Sequence, residues 1–362
     1  MKRSLEFILL VSIVAFAFLA VASNSISKEE SSVLEDGGVV MVSHASFFSD
    51  ENKPVLKRVS DDSPGSIILL SVNHYNVGNS PIVVKKENFS TLSGDVAVDD
   101  VTAQKMIDAG IAKENEAVFI NEHGIKNVII DIKRFFPNKK LLAITVKDSA
   151  EVEQVDGLID FISTKCSECL VIGSVDCSHY NPSSLAKVHD AYTLSALQIM
   201  DERKAWQAET DSPQISYLLV KVVKERGYQG FDLSFNSNTG EGGNTGVTET
   251  TSVVVGSFSR TASLPHKAST FVLAGDVMLD RLVNNMYKDD LTDILSDLGN
   301  RVFWGSDLMM LNLEGPISDS PIDDDVSVDN LIFNFPPSSI GLLKYLKINT
   351  VSLANNHTLN AG

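Results

Sequence analysis

Clustered positive charge is what this sequence has least of. Its 362 residues carry 30 lysines and arginines against 47 aspartates and glutamates, a net charge of −17 with a pI near 4.8. The one compact basic run is Lys133-Arg134 through Lys139-Lys140. Phosphate backbones are held by basic faces, so the balance counts against a nucleic-acid partner. Cysteine is scarce as well, at three residues. Cys166-Ser167-Glu168-Cys169 has CxxC spacing without a second pair, and reads as a local disulfide or two ordinary thiols in preference to a zinc site. Cys177 sits in an Asp-Cys-Ser-His segment and reads either as a site thiol or as a buried, inert one. The apolar run from Phe7 to Ala22 falls short of the ~20 residues of a spanning helix. It follows Lys2-Arg3 and ends in Ala20-Val21-Ala22, a small-x-small cleavage pattern. Residues 1–22 are therefore expected to be a signal peptide or an uncleaved anchor. Either reading places the rest outside the cytoplasm, periplasmic or extracellular, with residues 23–38 a polar tether.

Apolar residues are plentiful at 43%, and the length suits about two domains. Five apolar, strand-like stretches run straight into polar residues. Ile67–Leu70 leads to Asn73-His74-Tyr75, and Leu170–Ile172 leads to Ser174-Val175-Asp176-Cys177-Ser178-His179. Phe271–Ala274 leads to Gly275-Asp276, Leu308–Leu311 to Asn312-Leu313-Glu314, and Val351–Ala354 to Asn355-Asn356-His357. In an open parallel α/β sheet such ends gather along one edge, so two clusters of strand ends predict two sites. Strands are predicted at 38–42, 66–72, 141–146, 170–173 and 252–258. Helices are predicted over 125–136, 152–163 and, as one long element, 184–208, while 217–225 is helix or strand. This alternation implies a mostly parallel sheet flanked by helices.

His44, His74, His123 and His179 each stand at a strand end or loop start, beside Glu122 and Asp176. His189 and His266 read as ordinary core residues. Imidazoles with carboxylates suit Fe, Cu or Zn, for redox chemistry or hydrolysis. In the second part, carboxylates at Asp276 and Glu314 with the amide of Asn356 suit a pair of cations, and His357 beside that amide can protonate a leaving oxygen. The plainer reading makes Asp276 and Asn356 helix caps. Asp323-Asp324-Asp325 and Asp329 form an acidic segment without the glycine and terminal glutamate of an EF-hand.

Val42-Ser43-His44-Ala45, Asn73-His74-Tyr75, Asn121-Glu122-His123-Gly124, Ser174 to Tyr180, Ser234 to Gly240 and Val253 to Gly256 occur in the order found in Memo-like proteins, including protein B of the AmmeMemoRadiSam system. The resemblance covers about residues 39–262. It implies the fold of class III extradiol dioxygenases, with His44, His74 and Asp176 as metal ligands and His123 and His179 as catalytic pocket residues. Lys126 stands where relatives often have an acidic residue. The late loop offers Asn238, Thr239 and Glu241 in place of the cysteine ligand of the animal branch. From residue 269, Gly275-Asp276 to Arg281, Asn312 to Ile317 and Leu353 to His357 resemble the opening motifs of the CapA family of capsule and poly-γ-glutamate synthesis. That family is similar to calcineurin-type metallophosphoesterases. It implies Asp276, Glu314 and Asn356 as ligands of Mn, Mg or Fe and His357 as a catalytic acid, with Asn360 in place of a usual aspartate.

The expected chain is thus an exported α/β protein. A Memo-like domain at 39–262, a linker at 263–268 and a CapA-like domain at 269–362, expected to be partial at its C-terminal end, follow the leader. Three functions stay open: a metal-dependent oxidase, dioxygenase or hydrolase in the first cleft; a part in envelope polymer synthesis; or a non-catalytic module binding a small molecule, peptide or polymer.

Overall fold

The computed structural model describes residues 38–60, 65–241, 249–261, 269–287, 290–298, 303–320 and 331–360, all within one compact unit, Leu34–Gly362. The expected leader and tether of residues 1–37, the expected linker at 263–268 with His266, and the acidic segment 321–330 lie outside them.

The first part opens with β1 (Val39–Val42), a 3₁₀ turn (Ser46–Asn52), α1 (Lys53–Ser60) and β2 (Ile67–Val72). Next come β3 (Ile82–Val84), β4 (Phe89–Thr91), β5 (Gly94–Val96), α2 (Asp100–Asp108), β6 (Lys113–Glu114) and α3 (Glu116–Phe119). α4 (His123–Phe135), β7 (Leu141–Val146), α5 (Val152–Lys165), β8 (Leu170–Ser174) and β9 (His179–Asn181) follow. α6 (Ser183–Gln198), α7 (Glu202–Gln207), α8 (Pro213–Glu225), β10 (Gly230–Asn238) and β11 (Thr250–Ser259) close it.

The main sheet runs β10-β11-β1-β8-β2-β7-β3-β6, with β9 on β11. Its four central strands are parallel. The flanks are not: β11 is antiparallel to β1 and β10, and β3 is antiparallel to β7. The predicted mostly parallel sheet is thus confined to the centre, because β10 and β11 form a hairpin and β3 returns from β2 without a crossover helix. Residues along β1, β2, β7 and β8 are buried on both faces, as a sheet covered on both sides requires. One core packs Met41, Leu70 and Ile144 with α5 and α8, and the other packs Val40, Leu69 and Ala143 with α1 and α4.

Most predicted elements stand within a residue or two of their places, and 217–225 is helical. The long helix predicted over 184–208 is two helices. Met200 adopts a left-handed backbone (φ 52°) between α6 and α7, and the side chain of Asp201 then caps α7 by accepting from Lys204 N. An αL residue ends a helix even when it is not glycine.

The second part holds β12 (Phe271–Val277), α9 (Arg281–Tyr287), β13 (Leu308–Leu313), α10 (Ser339–Tyr345) and β14 (Thr350–Ser352). Its three strands are parallel in the order β12-β13-β14. A smaller core gathers Leu311, Leu313, Phe335 and Leu342, while Phe271 and Leu273 of β12 are exposed. The parallel pairing brings the three polar strand ends to one edge, as the two-cluster reading expects.

Candidate metal centre

The ends of β1, β2 and β8 deliver His44, His74 and Asp176 to one cleft, and α4 brings His123 over it. Glu122 caps α4 by accepting from Gly124 N at 3.0 Å. The helix start sits so close to β2 that a Cβ on Gly124 would stand 1.9 Å from Ser71 Oγ. Only glycine permits this approach.

Each ligand-type imidazole has one nitrogen already engaged. Ser174 Oγ donates its single proton to Gly124 O at 2.6 Å, so at 3.1 Å from His44 Nδ1 it can only accept. His44 therefore carries Nδ1–H and turns Nε2 into the cleft. His74 Nδ1 lies 2.6 Å from Glu122 Oε1, and Glu122 Oε2 accepts from His74 N at 3.0 Å. His74 likewise presents Nε2. Carboxylate or hydroxyl partners on the far nitrogen are the usual orienting groups of metal-binding histidines.

Both Nε2 atoms converge on a residue the sequence reading did not single out, Asp211. Its Oδ2 lies 3.0 Å from His44 Nε2 and 3.6 Å from His74 Nε2. Asp211 follows no strand. It lies between α7 and α8, just before Ser212, which caps α8 by accepting from Ile215 N at 3.4 Å, and Pro213 at the helix start. In sequence those residues signal a helix N-terminus and nothing more. Asp211 N donates to Asp176 O at 3.0 Å, which pins the segment to the end of β8.

Asp176 has a divided role. Its Oδ1 accepts from Ser43 Oγ at 2.6 Å and from His44 N at 3.1 Å, fixing the turn after β1. Its Oδ2 lies 3.4 Å from His44 Nε2. Among the described residues, two sets of three have ligand atoms within 4.8 Å of one another: His44, His74 and His123, and His44, Asp176 and Asp211.

The electrostatics follow from this packing. Burial disfavours a charged His44, but Asp176 and Asp211 outweigh it and raise its pKa above the ordinary value. Burial acts the same way on His74, and hydrogen bonding to Asp211 and Glu122 overrides it, raising its pKa to about 9. Burial works to raise the Asp211 pKa, and His44 and His74 instead hold it well below the carboxylate range. Burial, then the charges of His74 and His44, lowers that of His123.

The residues fit a cation. His44 Nε2 and Asp211 Oδ1 are fully buried and make no hydrogen bond of proper geometry, although carboxylate oxygens stand close to the imidazole nitrogen. Orphaned buried polar atoms are rare and mark a strained or ligand-binding site. Two imidazoles and a carboxylate are the donors that Fe, Cu and Zn take.

The remaining residues divide clearly. His179 lies at the start of β9 and donates from Nδ1 to Cys177 O at 2.7 Å. His123 is half-buried, with its ring 3.9 Å from that of His74. Cys177 is fully buried, and burial together with the carboxylates of Asp190 and Asp176 pushes its thiol well above the usual range. It is therefore the inert cysteine, not a site thiol. Cys166 and Cys169 form a disulfide. His189 is a buried residue paired with Glu209 at 3.2 Å, as its core reading expects. In the late loop, Asn238 accepts from Gly240 N at 3.0 Å, Thr239 Oγ1 accepts from Thr251 N at 3.1 Å, and Glu241 pairs with Lys187 at 2.5 Å and belongs to neither ligand set.

At the second edge, Asn312 Nδ2 donates to Asp276 Oδ1 at 2.7 Å and also to Glu314. His357 Nε2 lies 3.7 Å from Glu314 Oε1 and accepts from Asn356 at 2.7 Å. Asp276, Glu314, Asn356 and His357 are thus brought to one sheet edge, with Asn312 bridging the two carboxylates. Asn360 Nδ2 lies 3.2 Å from His357 Nδ1.

The fold and first cleft define an α/β protein with a histidine and carboxylate cluster at the carboxyl ends of its central strands. Residues 27–215, just over half of the chain, match the family described as Memo-like protein, and the chain belongs to that family. Residues 270–362 match the bacterial capsule synthesis protein PGA_cap. A MEMO1 family protein of Methanothermobacter thermautotrophicus is 24% identical over 148 residues, 40% of this chain and 53% of that protein. A MEMO1 family protein of Methanobrevibacter smithii is 28% identical over 174 residues, 46% of this chain and 61% of that protein. The chain thus spans between half and two thirds of the length of these relatives. A crystal structure of an uncharacterized protein from Escherichia coli K12 superposes with a TM-score of 0.42 at 11% identity, covering 61% of this chain and 98% of that one.

Proposed function

We propose that the Memo-like cleft holds one divalent transition metal ion, Fe, Cu or Zn, through Nε2 of His44, Nε2 of His74 and the Asp211 carboxylate. Asp176 adds a second carboxylate, and Ser174 and Glu122 orient the imidazoles. The observation that carries this reading is His44 Nε2 itself, buried between the Asp176 and Asp211 carboxylates without a hydrogen bond of proper geometry. Asp211 takes the third-ligand place that the family resemblance gave to Asp176, whose Oδ1 is committed to Ser43 and the backbone.

A bound ion there would supply Lewis acidity or redox chemistry to a ligand entering the cleft. The protein's own groups supply proton handling. His123, with its lowered pKa, is a neutral imidazole at pH 7 and accepts a proton at the rim. His179 uses Nδ1–H on a carbonyl that can only accept, which leaves Nε2 as its proton-accepting atom. The cleft would act on a small molecule, a peptide or an envelope polymer, as an enzyme or as a binding module.

The second part, with its capsule-synthesis match and its cluster of Asp276, Glu314, Asn356 and His357, supports a role in cell-envelope polymer assembly through Mn, Mg or Fe. The N-terminal Lys2-Arg3, the apolar run and Ala20-Val21-Ala22 support export, with residues 7–22 as the tether if uncleaved. A disulfide at Cys166–Cys169 fits an oxidising compartment. No helix among the described residues is long and apolar enough to cross a membrane. Metal content after loading with Zn(II), compared between the full chain and a His44→Ala, His74→Ala double variant, tests the first-cleft reading. Equal occupancy of that cleft in both proteins removes it.

A further inference from the structure

A second cavity lies beside the metal cleft and does not depend on it. It measures about 390 Å³, within the range of small-molecule sites. Its walls come from both parts of the chain: Asp148 and Glu151 after β7, Trp206 of α7, Gln214 at the start of α8, and Trp304 and Lys347 of the second part. β7 neighbours β2 in the sheet, so the cavity sits on the same carboxyl edge as the cleft. Gln214 follows Asp211 by three residues, so one short segment serves both sites.

The lining is selective. The chain has two tryptophans, and both face this cavity. Trp206 is held edge-on by Tyr217, with centroids 5.2 Å apart. Gln214 is 6% exposed. Its Nε2 donates to Asp148 O at 2.8 Å, which fixes the amide, and its Oε1 is buried without a partner. An unpartnered buried acceptor wants a donor. The Asp148 and Glu151 carboxylates are further acceptors and oppose an anionic ligand. The Lys347 ammonium stands 3.2 Å from the Trp304 ring centroid, on the indole face that a ligand cation would need. A neutral ligand rich in hydroxyl groups meets every condition. Its hydroxyls donate to Gln214 and the carboxylates and accept from Lys347, while a C–H face lies on the Trp206 indole.

We propose that this cavity is a carbohydrate subsite that takes an uncharged, polyhydroxylated ring and joins the Memo-like part to the capsule-synthesis part. Because both tryptophans line it, intrinsic fluorescence of the full chain reports binding directly. The titrants are maltotetraose and N,N′,N″,N‴-tetraacetylchitotetraose, with poly-γ-glutamate and choline as the anionic and cationic alternatives, each with and without EDTA. The expected result is a saturable emission change with at least one of the two oligosaccharides, unaffected by EDTA. Binding should be at least tenfold weaker in Gln214→Leu and in Trp206→Ala, each checked for folding by circular dichroism. The proposal is overturned by the absence of a saturable response to either sugar at millimolar concentration, by a response to choline or poly-γ-glutamate instead, or by folded variants that bind as the parent does.

Discussion

Replacing Glu122 by glutamine isolates the part of the cleft that sets a ligand's tautomer. Glu122 is fully buried, and its two oxygens serve His74 Nδ1 at 2.6 Å, His74 N at 3.0 Å and Gly124 N at 3.0 Å. All three partners are donors, so the carboxylate is matched by shape and by charge. Glutamine keeps the volume but offers one oxygen and an NH₂ that must face a donor. A charge-assisted hydrogen bond of about 1.5–3 kcal/mol falls to a neutral one of about 0.5–1.5 kcal/mol, with one backbone N–H left unserved. Losing such an orienting partner typically weakens metal binding ~10–100-fold, or about 1.4–2.7 kcal/mol. Competition of the full chain against a chromophoric chelator for Zn(II) measures this. Thermal unfolding of the metal-free proteins separates it from the loss of the α4 cap. An affinity within about twofold of the parent, in a variant that unfolds at the parent temperature, would refute the claim that Glu122 presents His74 Nε2 to a metal.

Further outcomes follow from other contacts. Gly124→Ala places a Cβ against Ser71 Oγ and should cost ~1–3 kcal/mol in chemical denaturation, with metal affinity falling because His123 and Glu122 move with the helix start. Thiol alkylation followed by mass spectrometry should label no cysteine in the native protein, Cys177 alone after unfolding without reductant, and all three after reduction; native labelling of Cys177 contradicts its burial. Burial raises the Asp190 pKa to about 7 against the hydrogen bonds from Ser252 and Asn236. The folded state therefore binds a proton that the unfolded state has released, and the stability tied to it is full below about pH 3.8 and is lost as pH rises through 7. Urea midpoints should fall across that window for this reason, and Asp190→Asn should flatten the slope; an unchanged slope assigns the pH dependence elsewhere.

The legible part of the fold was the part written in local pattern. Apolar runs ending in His74, Asp176, Asp276 and Glu314 marked strands and their ends, and parallel pairing turned those ends into two clusters. What stayed hidden depended on contacts between distant segments. Asp211 reaches the cleft because its segment is pinned by a backbone bond to Asp176, and Thr210-Asp211-Ser212-Pro213 resembles any helix start. The break at Met200 carries neither glycine nor proline, so periodicity runs through it. The antiparallel flank at β3 was not foreseen, because a three-residue strand carries too little pattern to show its direction. Glu122 was visible beside His123 as a site residue, but its role as the acceptor for His74 appears only when β2 and α4 meet.

Anomalous diffraction from crystals of the Zn(II)-loaded full chain, collected at the zinc edge, tests the central claim most directly. The arrangement of imidazoles and carboxylates predicts one peak in the first cleft, within ~2.0–2.2 Å of His44 Nε2, His74 Nε2 and an oxygen of Asp211. Loaded crystals in which that position shows no anomalous density, with His44 Nε2 still buried beside Asp211, would contradict it.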